Sequence, residues 1–175
     1  MNTPAENDLL SALQIEWNHL LDESVRRIQH CMSQLSHEQV WWRPSDEQNS
    51  IGSLLRHLAG NLNQWVVVGV RQLPDSRDRE AEFHSPVRES PEQLLDMLCQ
   101  VVDSAKSVLE TLQPDDLIQP RQIQSFNVSV LGAIMHSVPH FVGHTHQIGQ
   151  LTRIQLGNDY VFQWDPDGPR YGVPL

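Results

Sequence analysis

Apolar residues recur every three or four positions in four separate stretches of the chain. The first stretch runs from about residue 8 to residue 35. Its apolar stripe consists of Leu9, Leu13, Trp17, Leu20, Leu21, Ser24, Ile28 and Met32. This period is typical of an amphipathic α-helix with one buried face. The pattern therefore predicts a long first helix. The WWRP run and the polar residues that follow it, residues 41–50, are interpreted as a turn-rich connector.

The second helix is predicted to start at Asn49 or Ser50, either of which can cap it, and to continue to about Val70. A polar, proline-containing stretch follows over residues 73–90, which we interpret as a long surface loop. The charges in this loop, on Asp78, Glu80 and Glu82, are predicted to be solvated, and the less favoured alternative is that one of them approaches the functional site as a lid.

The third helix has a strong predicted start. Ser90 is a suitable N-cap, Pro91 lies at the first helical position, and Gln93 can complete a capping box. The apolar period continues to about Leu112. Pro114 and Pro120 then interrupt the chain, and no strand pattern is visible in the sequence.

The fourth helix is predicted from about Ser129 to Leu156, with Gly157 as a good residue to end it. Pro139 lies inside this segment and should kink it, because proline removes one backbone hydrogen bond. The tail from residue 158 to residue 175 is predicted to be irregular. Residues 1–175 are therefore predicted to form a single all-α domain. Its expected fold is a four-helix bundle with a long connection between helices 2 and 3.

Composition and charge narrow the classes of function. The chain has 175 residues and a formal net charge of −10, so nucleic acid is not an expected partner. The N-terminus does not have the pattern of a signal peptide, and the apolar run of residues 65–70 is too short to span a bilayer. Cys31 and Cys99 are predicted to be buried free thiols. We therefore expect a cytoplasmic protein without membrane contact.

Candidate chemistry is concentrated in the nine histidines. His140 and His144 are four residues apart, which places them about 40° apart around a helix, on one face. Apolar neighbours share that face, so the pair is predicted to point inward. His136 lies at its edge, and His146 lies on another side and should be solvated. Two imidazoles at this spacing can share one metal ion, as in HExxH sites, or can be hydrogen-bonded core histidines. The spacing alone leaves both interpretations open.

His57 adds a third inward histidine, on the second helix. It shares a face with Leu54, Leu58, Asn61 and Trp65. Several buried imidazoles without partners are costly, and one shared ion would satisfy them together. Three nitrogen ligands also leave coordination positions open, which is the catalytic pattern. This ligand set favours Zn²⁺ or Ni²⁺, with Fe²⁺ and Mn²⁺ as further candidates.

The motifs that carry these histidines resemble those of the DinB-like metal-binding four-helix bundles, in an uncharacterised branch. They are WRP at 42–44, NSIGSLLRHLAGN at 49–61, an RDR…EF stretch at 77–83, and HFVGHTHQI at 140–148. The resemblance covers roughly residues 36–154. It implies one divalent metal ion on His57, His140 and His144, and so favours this pair over His136 and His140. Many relatives have glycine where this chain has His146.

The resemblance also implies a range of functions. Some DinB-like proteins transfer low-molecular-weight thiols, so a metal-dependent thiol transferase acting on an electrophilic substrate is one hypothesis. The alternatives are a metal-dependent hydrolase and a non-catalytic stress-response or binding protein with a structural metal. Asn61, His136 and Gln147 are candidates to orient the ligands or a substrate, no residue is assigned a catalytic role, and a homodimer is expected.

Overall fold

A serine or threonine cap begins each of the four long helices in the computed structural model, which describes residues 3–163. The long helices are α1 (Pro4–Met32), α3 (Ile51–Leu62), α6 (Pro91–Thr111) and α7 (Val130–Leu156), and the shorter ones are α2 (His37–Trp41), α4 (Gly69–Arg71) and α5 (Arg79–His84). Ser90 and, of the two alternatives for the second helix, Ser50 are confirmed as caps, and Ser129 caps α7; all three accept a hydrogen bond from a backbone N–H of the first turn. The capping box of Ser90 and Gln93 is also confirmed.

The long helices pack side by side around one apolar core. α1 contacts α6 and α7, and α3 contacts α6 and α7. The core is formed by fully buried aliphatic and aromatic side chains, among them Leu21, Ile28, Leu58, Leu98 and Phe141. α3 therefore lies against α7, which is the pair of helices that carries the candidate ligands. The prediction of a mostly helical fold is confirmed.

A small β-sheet departs from the all-α prediction. β1 (Pro120–Ile123) and β2 (Phe126–Ser129) pair antiparallel, with Ile123 opposite Phe126. Gln124 in the turn adopts a positive φ of 54°. The hairpin packs through Ile123 on Trp65 and Ala133, in a small apolar cluster beside the main core.

The two polar connections have different outcomes. Residues 42–50 form the predicted turn-rich connector, and the residues just before them form α2, which begins at a Ser36 capping box. The predicted surface loop contains α5, whose N-cap is Asp78. The predicted second helix changes its geometry after α3, where Asn63–Val68 form a π-helix that leads into α4. The predicted second helix thus keeps its extent but not a uniform α-helical geometry.

Other predictions have mixed outcomes. Cys31 is a buried free thiol, whereas Cys99 is a free thiol that is only partly buried. Leu10 is buried where Leu9 was predicted, and Leu9 is 63% exposed. Of the predicted irregular tail, residues 164–175 lie outside the described residues. Within the described part of the chain, no helix combines the length and the apolar character needed to cross a bilayer.

Candidate metal site

The candidate ligands lie on two adjacent helices. α3 is buried along almost its whole length, and the His57 side chain is only 9% exposed. α7 carries His140 and His144 one turn apart, on the side that also buries Ser137, Phe141 and Ile148. α7 remains helical through Pro139. The inward orientation predicted for the three histidines is therefore confirmed, and His146 is exposed, as predicted.

The three imidazoles converge on one point. The ring of His57 lies 5.1 Å from that of His140 and 5.3 Å from that of His144, and the rings of His140 and His144 are 4.4 Å apart. One ring nitrogen from each of these residues lies within 4.8 Å of the other two. Nε2 of His57 is 3.0 Å from Nε2 of His140. Nitrogens that bind one zinc ion lie about 2.0–2.1 Å from it and hence at most about 4.2 Å from each other, so the spacing of this cluster is close to that of a metal site.

In His57 and His144, the Nδ1 atom lies beside a side-chain oxygen. Nδ1 of His57 lies 2.9 Å from Oε2 of Glu82. Nδ1 of His144 lies 2.7 Å from Oε1 of Gln147, one turn further along α7. Metal-binding histidines usually donate their second N–H to a carboxylate, a carbonyl or a water, and this fixes the orientation of the ring. The candidate ligands His57 and His144 therefore have supporting contacts of the kind found at metal sites.

Burial favours the neutral form of His140 and His144. Burial, together with the charges of His144 and His57, lowers the pKa of His140 to about 4. Burial also lowers the pKa of His144, although the hydrogen bond to Gln147 opposes this effect. A neutral imidazole offers a lone pair, which a metal ligand requires. Both residues are also partly exposed, so the cluster is accessible from solvent.

Glu82 is the residue of the site that the sequence interpretation assigned wrongly. It was predicted to be a solvated loop charge, but α5 brings it onto α3, where its side chain is 8% exposed. Arg77 donates from Nε to Oε1 at 2.6 Å and from Nη2 to Oε2 at 2.9 Å. Burial raises the pKa of Glu82, but the hydrogen bonds from His57 and Arg77 outweigh it and leave the pKa below its ordinary value. Glu82 is therefore an ionised, buried partner of His57.

The remaining predicted neighbours have different positions. Gln147 contacts His144, as expected for a residue that orients a ligand. Asn61 accepts a hydrogen bond from Ser137 Oγ at 2.9 Å and so links α3 to α7. The ring of His136 stacks on Trp65 at 3.8 Å and lies 6.1 Å from the ring of His140, at the edge of the cluster.

Gly60 makes room for Glu82 on the surface of α3. A Cβ at this position would lie 2.0 Å from Oε1 of Glu82 and 3.0 Å from Nε of Arg77. Alanine normally stabilises a helix interior by about 0.8–1 kcal/mol over glycine. We expect Gly60→Ala to lose that gain and to weaken metal binding, because the Glu82 carboxylate must move away from His57. Urea unfolding and a metal titration measure the two effects.

Gly143→Ala is the matched control, since it also lies in a helix and its Cβ would meet nothing within 4 Å. This variant should be more stable than the parent protein and should bind metal equally well. A Gly60→Ala protein that behaves like Gly143→Ala would contradict the close approach of Glu82 to α3.

The fold and the histidine cluster define the class of protein as a helical protein with a three-histidine candidate metal site. Residues 9–164 match the family described as "Protein of unknown function (DUF1572)", and the chain belongs to that family. No functionally curated protein matches it.

Three solved structures share the fold. A conserved protein from Enterococcus faecalis aligns with a TM-score of 0.65 at 18% identity, covering 81% of this chain and 96% of its own. A DinB-like protein from Bacillus cereus aligns with a TM-score of 0.60 at 16% identity, covering 75% and 85%. A DinB-like protein from Bacillus subtilis aligns with a TM-score of 0.58 at 13% identity, covering 88% and 96%. These likenesses show that the chain has the fold of these proteins, two of which are DinB-like.

Proposed function

We propose that this protein binds one divalent metal ion between α3 and α7, on His57, His140 and His144. The proposal takes α1, α3, α6 and α7 as the four members of a DinB-like bundle. The observation that carries it is the convergence of three imidazole nitrogens from two helices, with His57 anchored by a buried carboxylate. Borderline nitrogen ligands favour Zn²⁺ or Ni²⁺, with Fe²⁺ and Mn²⁺ as the next candidates.

The function that we propose for the ion is activation of a low-molecular-weight thiol for transfer to an electrophile. A bound divalent ion lowers the pKa of a coordinating thiol, which supplies a thiolate near neutral pH. Three protein nitrogens leave room for such a ligand, and the partial exposure of His140 and His144 gives it access. This use of a cellular thiol agrees with the cytoplasmic location that the composition predicts.

The environment of Glu82 favours thiol transfer over hydrolysis. Metal-dependent hydrolysis commonly uses a carboxylate as a general base beside the metal-bound water, as the glutamate of HExxH does. Both oxygens of Glu82 instead accept hydrogen bonds from Arg77, and one also contacts His57. Glu82 is therefore committed to holding a ligand and is not free to accept a proton from water.

The proposal is tested in two stages with protein purified without a histidine tag. We expect metal analysis to give about one divalent ion per chain. We then expect the loaded protein to consume an electrophile such as monobromobimane faster in the presence of cysteine, glutathione, bacillithiol or mycothiol than the same thiols do alone. Absence of bound metal would contradict the site. Thiol-independent hydrolysis, or bound metal with no acceleration by any thiol, would contradict the transferase.

A further inference from the structure

The connection between α4 and α6 sends two carboxylates to consecutive residues of α3. Glu82 contacts His57, and Glu89 forms an ion pair with Arg56. The two contacts differ in what they hold. Arg56 carries a fixed charge and also lies over the ring of Trp41 at 4.7 Å, so Glu89 stabilises packing. Glu82 instead contacts a ring whose two nitrogens have different roles, so its contact can decide which nitrogen faces the site.

We infer that Glu82 is a positioning residue that fixes the tautomer of His57 and thereby makes Nε2 its metal-binding atom. This inference rests on the proposed metal site. The Glu82 carboxylate accepts from Nε and Nη2 of Arg77 and has no proton to donate, so its contact with Nδ1 of His57 is a hydrogen bond only when that nitrogen carries the proton. A neutral imidazole has only one N–H, and Nε2 therefore keeps its lone pair. That lone pair belongs to the nitrogen 3.0 Å from Nε2 of His140.

Arg77 makes the orientation of the Glu82 carboxylate unique. Its guanidinium donates to both carboxylate oxygens, which is a fork geometry that fixes the plane of the carboxylate. Nη2 of Arg77 is also 3.1 Å from Nδ1 of His57. Arginine can only donate, so the contact of Nη2 with Nδ1 would favour the opposite tautomer of His57 and competes with Oε2 of Glu82 for that nitrogen. The contact with Oε2 is the shorter one, at 2.9 Å, and Nη2 already donates to Oε2 at 2.9 Å, so we expect Glu82 to decide the tautomer.

A polar network extends this support to the π-helix and the hairpin. Nη1 of Arg77 donates to Oε1 of Gln64 at 2.8 Å, and Nε2 of Gln124 donates to the same oxygen at 2.8 Å. Nε2 of Gln64 in turn donates to a carboxylate oxygen of Asp75. The Gln64 side chain is thus fixed through both ends of its amide, and it holds Arg77 from the side opposite Glu82. The ligand on α3 therefore depends on elements that carry no ligand.

The matched pair Glu82→Gln and Glu89→Gln separates positioning from loop packing. Each variant removes one carboxylate charge that binds α3 from the same connection. We expect Glu82→Gln to weaken Zn²⁺ binding about 10- to 100-fold in a chelator competition, the usual loss when a partner of a metal-binding histidine is removed. The Co²⁺ absorption spectrum should change as well. Glu89→Gln should bind Zn²⁺ and Co²⁺ like the parent protein.

A second measurement needs no metal. Long-range ¹H–¹⁵N correlation spectra of the metal-free protein at pH 8 report which ring nitrogen of His57 carries the proton. We expect the Nδ1–H tautomer in the parent protein and in Glu89→Gln. We expect this preference to weaken in Glu82→Gln, because a carboxamide presents an N–H donor as well as an oxygen.

The outcomes distinguish this inference from the proposed function. A parent protein that binds no divalent ion overturns the metal site, while the tautomer spectrum still tests what Glu82 does to His57. A parent protein that binds Zn²⁺, together with a Glu82→Gln variant of unchanged affinity, overturns the positioning role alone. An Nε2–H tautomer in the metal-free parent protein overturns it independently.

Discussion

His144→Ala is expected to lower the affinity for Zn²⁺ by more than about 100-fold, beyond the range typical of losing only an outer partner of a ligand. The variant removes one of three converging nitrogens and leaves an incomplete donor set. The rest of α7 should fold normally, because the ring is partly exposed and its hydrogen bond is to Gln147 on the same helix. Isothermal titration and metal analysis measure the loss directly.

His146→Ala is the control for this experiment, because His146 is only two residues away but lies exposed on another side of α7. Its affinity for Zn²⁺ should equal that of the parent protein. Thermal unfolding gives a second readout, since an ion at 100 times its Kd stabilises the folded state by about 2.7 kcal/mol. Parent protein and His146→Ala should show this gain and His144→Ala should not. Full metal retention by His144→Ala would mean that the ligands are wrongly assigned.

The sequence predicted the helices that carry the candidate ligands well, because local rules determine them. A serine that caps a helix acts on the backbone of the next turn, and the i, i+4 spacing of His140 and His144 fixes their common face. Such features need no knowledge of the rest of the fold. Errors within a helix were small, as with Leu9 and Leu10, where adjacent apolar residues competed for one buried position.

The parts that were missed depend on tertiary contacts. The hairpin of residues 120–129 has only four residues in each strand, and only Ile123 among them is buried, so its sequence has no clear alternation. Glu82 was interpreted as a solvated charge because its neighbours in sequence are polar. Its burial depends on the space beside Gly60 and on the contacts with His57 and Arg77. Gly60 and His57 lie on α3, far from Glu82 in the sequence, and nothing in the sequence alone distinguishes Arg77 from a surface arginine. The RDR…EF stretch contains both Arg77 and Glu82, so the sequence held the two residues of the ion pair, but the fold is needed to show that they face each other.

The buried pair of Arg77 and Glu82 leads to the second large expected effect, on stability. The two side chains are 5% and 8% exposed, so removing either partner leaves a buried charge without its counter-ion. Arg77→Met keeps much of the side-chain volume but removes the guanidinium. We expect it to lower the free energy of unfolding by about 3–5 kcal/mol, the usual cost of breaking a buried ion pair from one side. Urea unfolding in the presence of a chelator measures this without a contribution from bound metal.

Two further variants show whether this cost comes from the uncompensated charge of Glu82. Arg27→Ala breaks the ion pair with Glu23 on the surface of α1, where Arg27 is 49% exposed. The free energy of unfolding should therefore fall by only about 0.2–1 kcal/mol. The double variant Arg77→Met with Glu82→Gln should be more stable than Arg77→Met alone, because the buried charge is removed together with its partner. If Arg77→Met costs no more than Arg27→Ala, the guanidinium does not neutralise a buried carboxylate, and the support proposed for His57 loses its electrostatic basis.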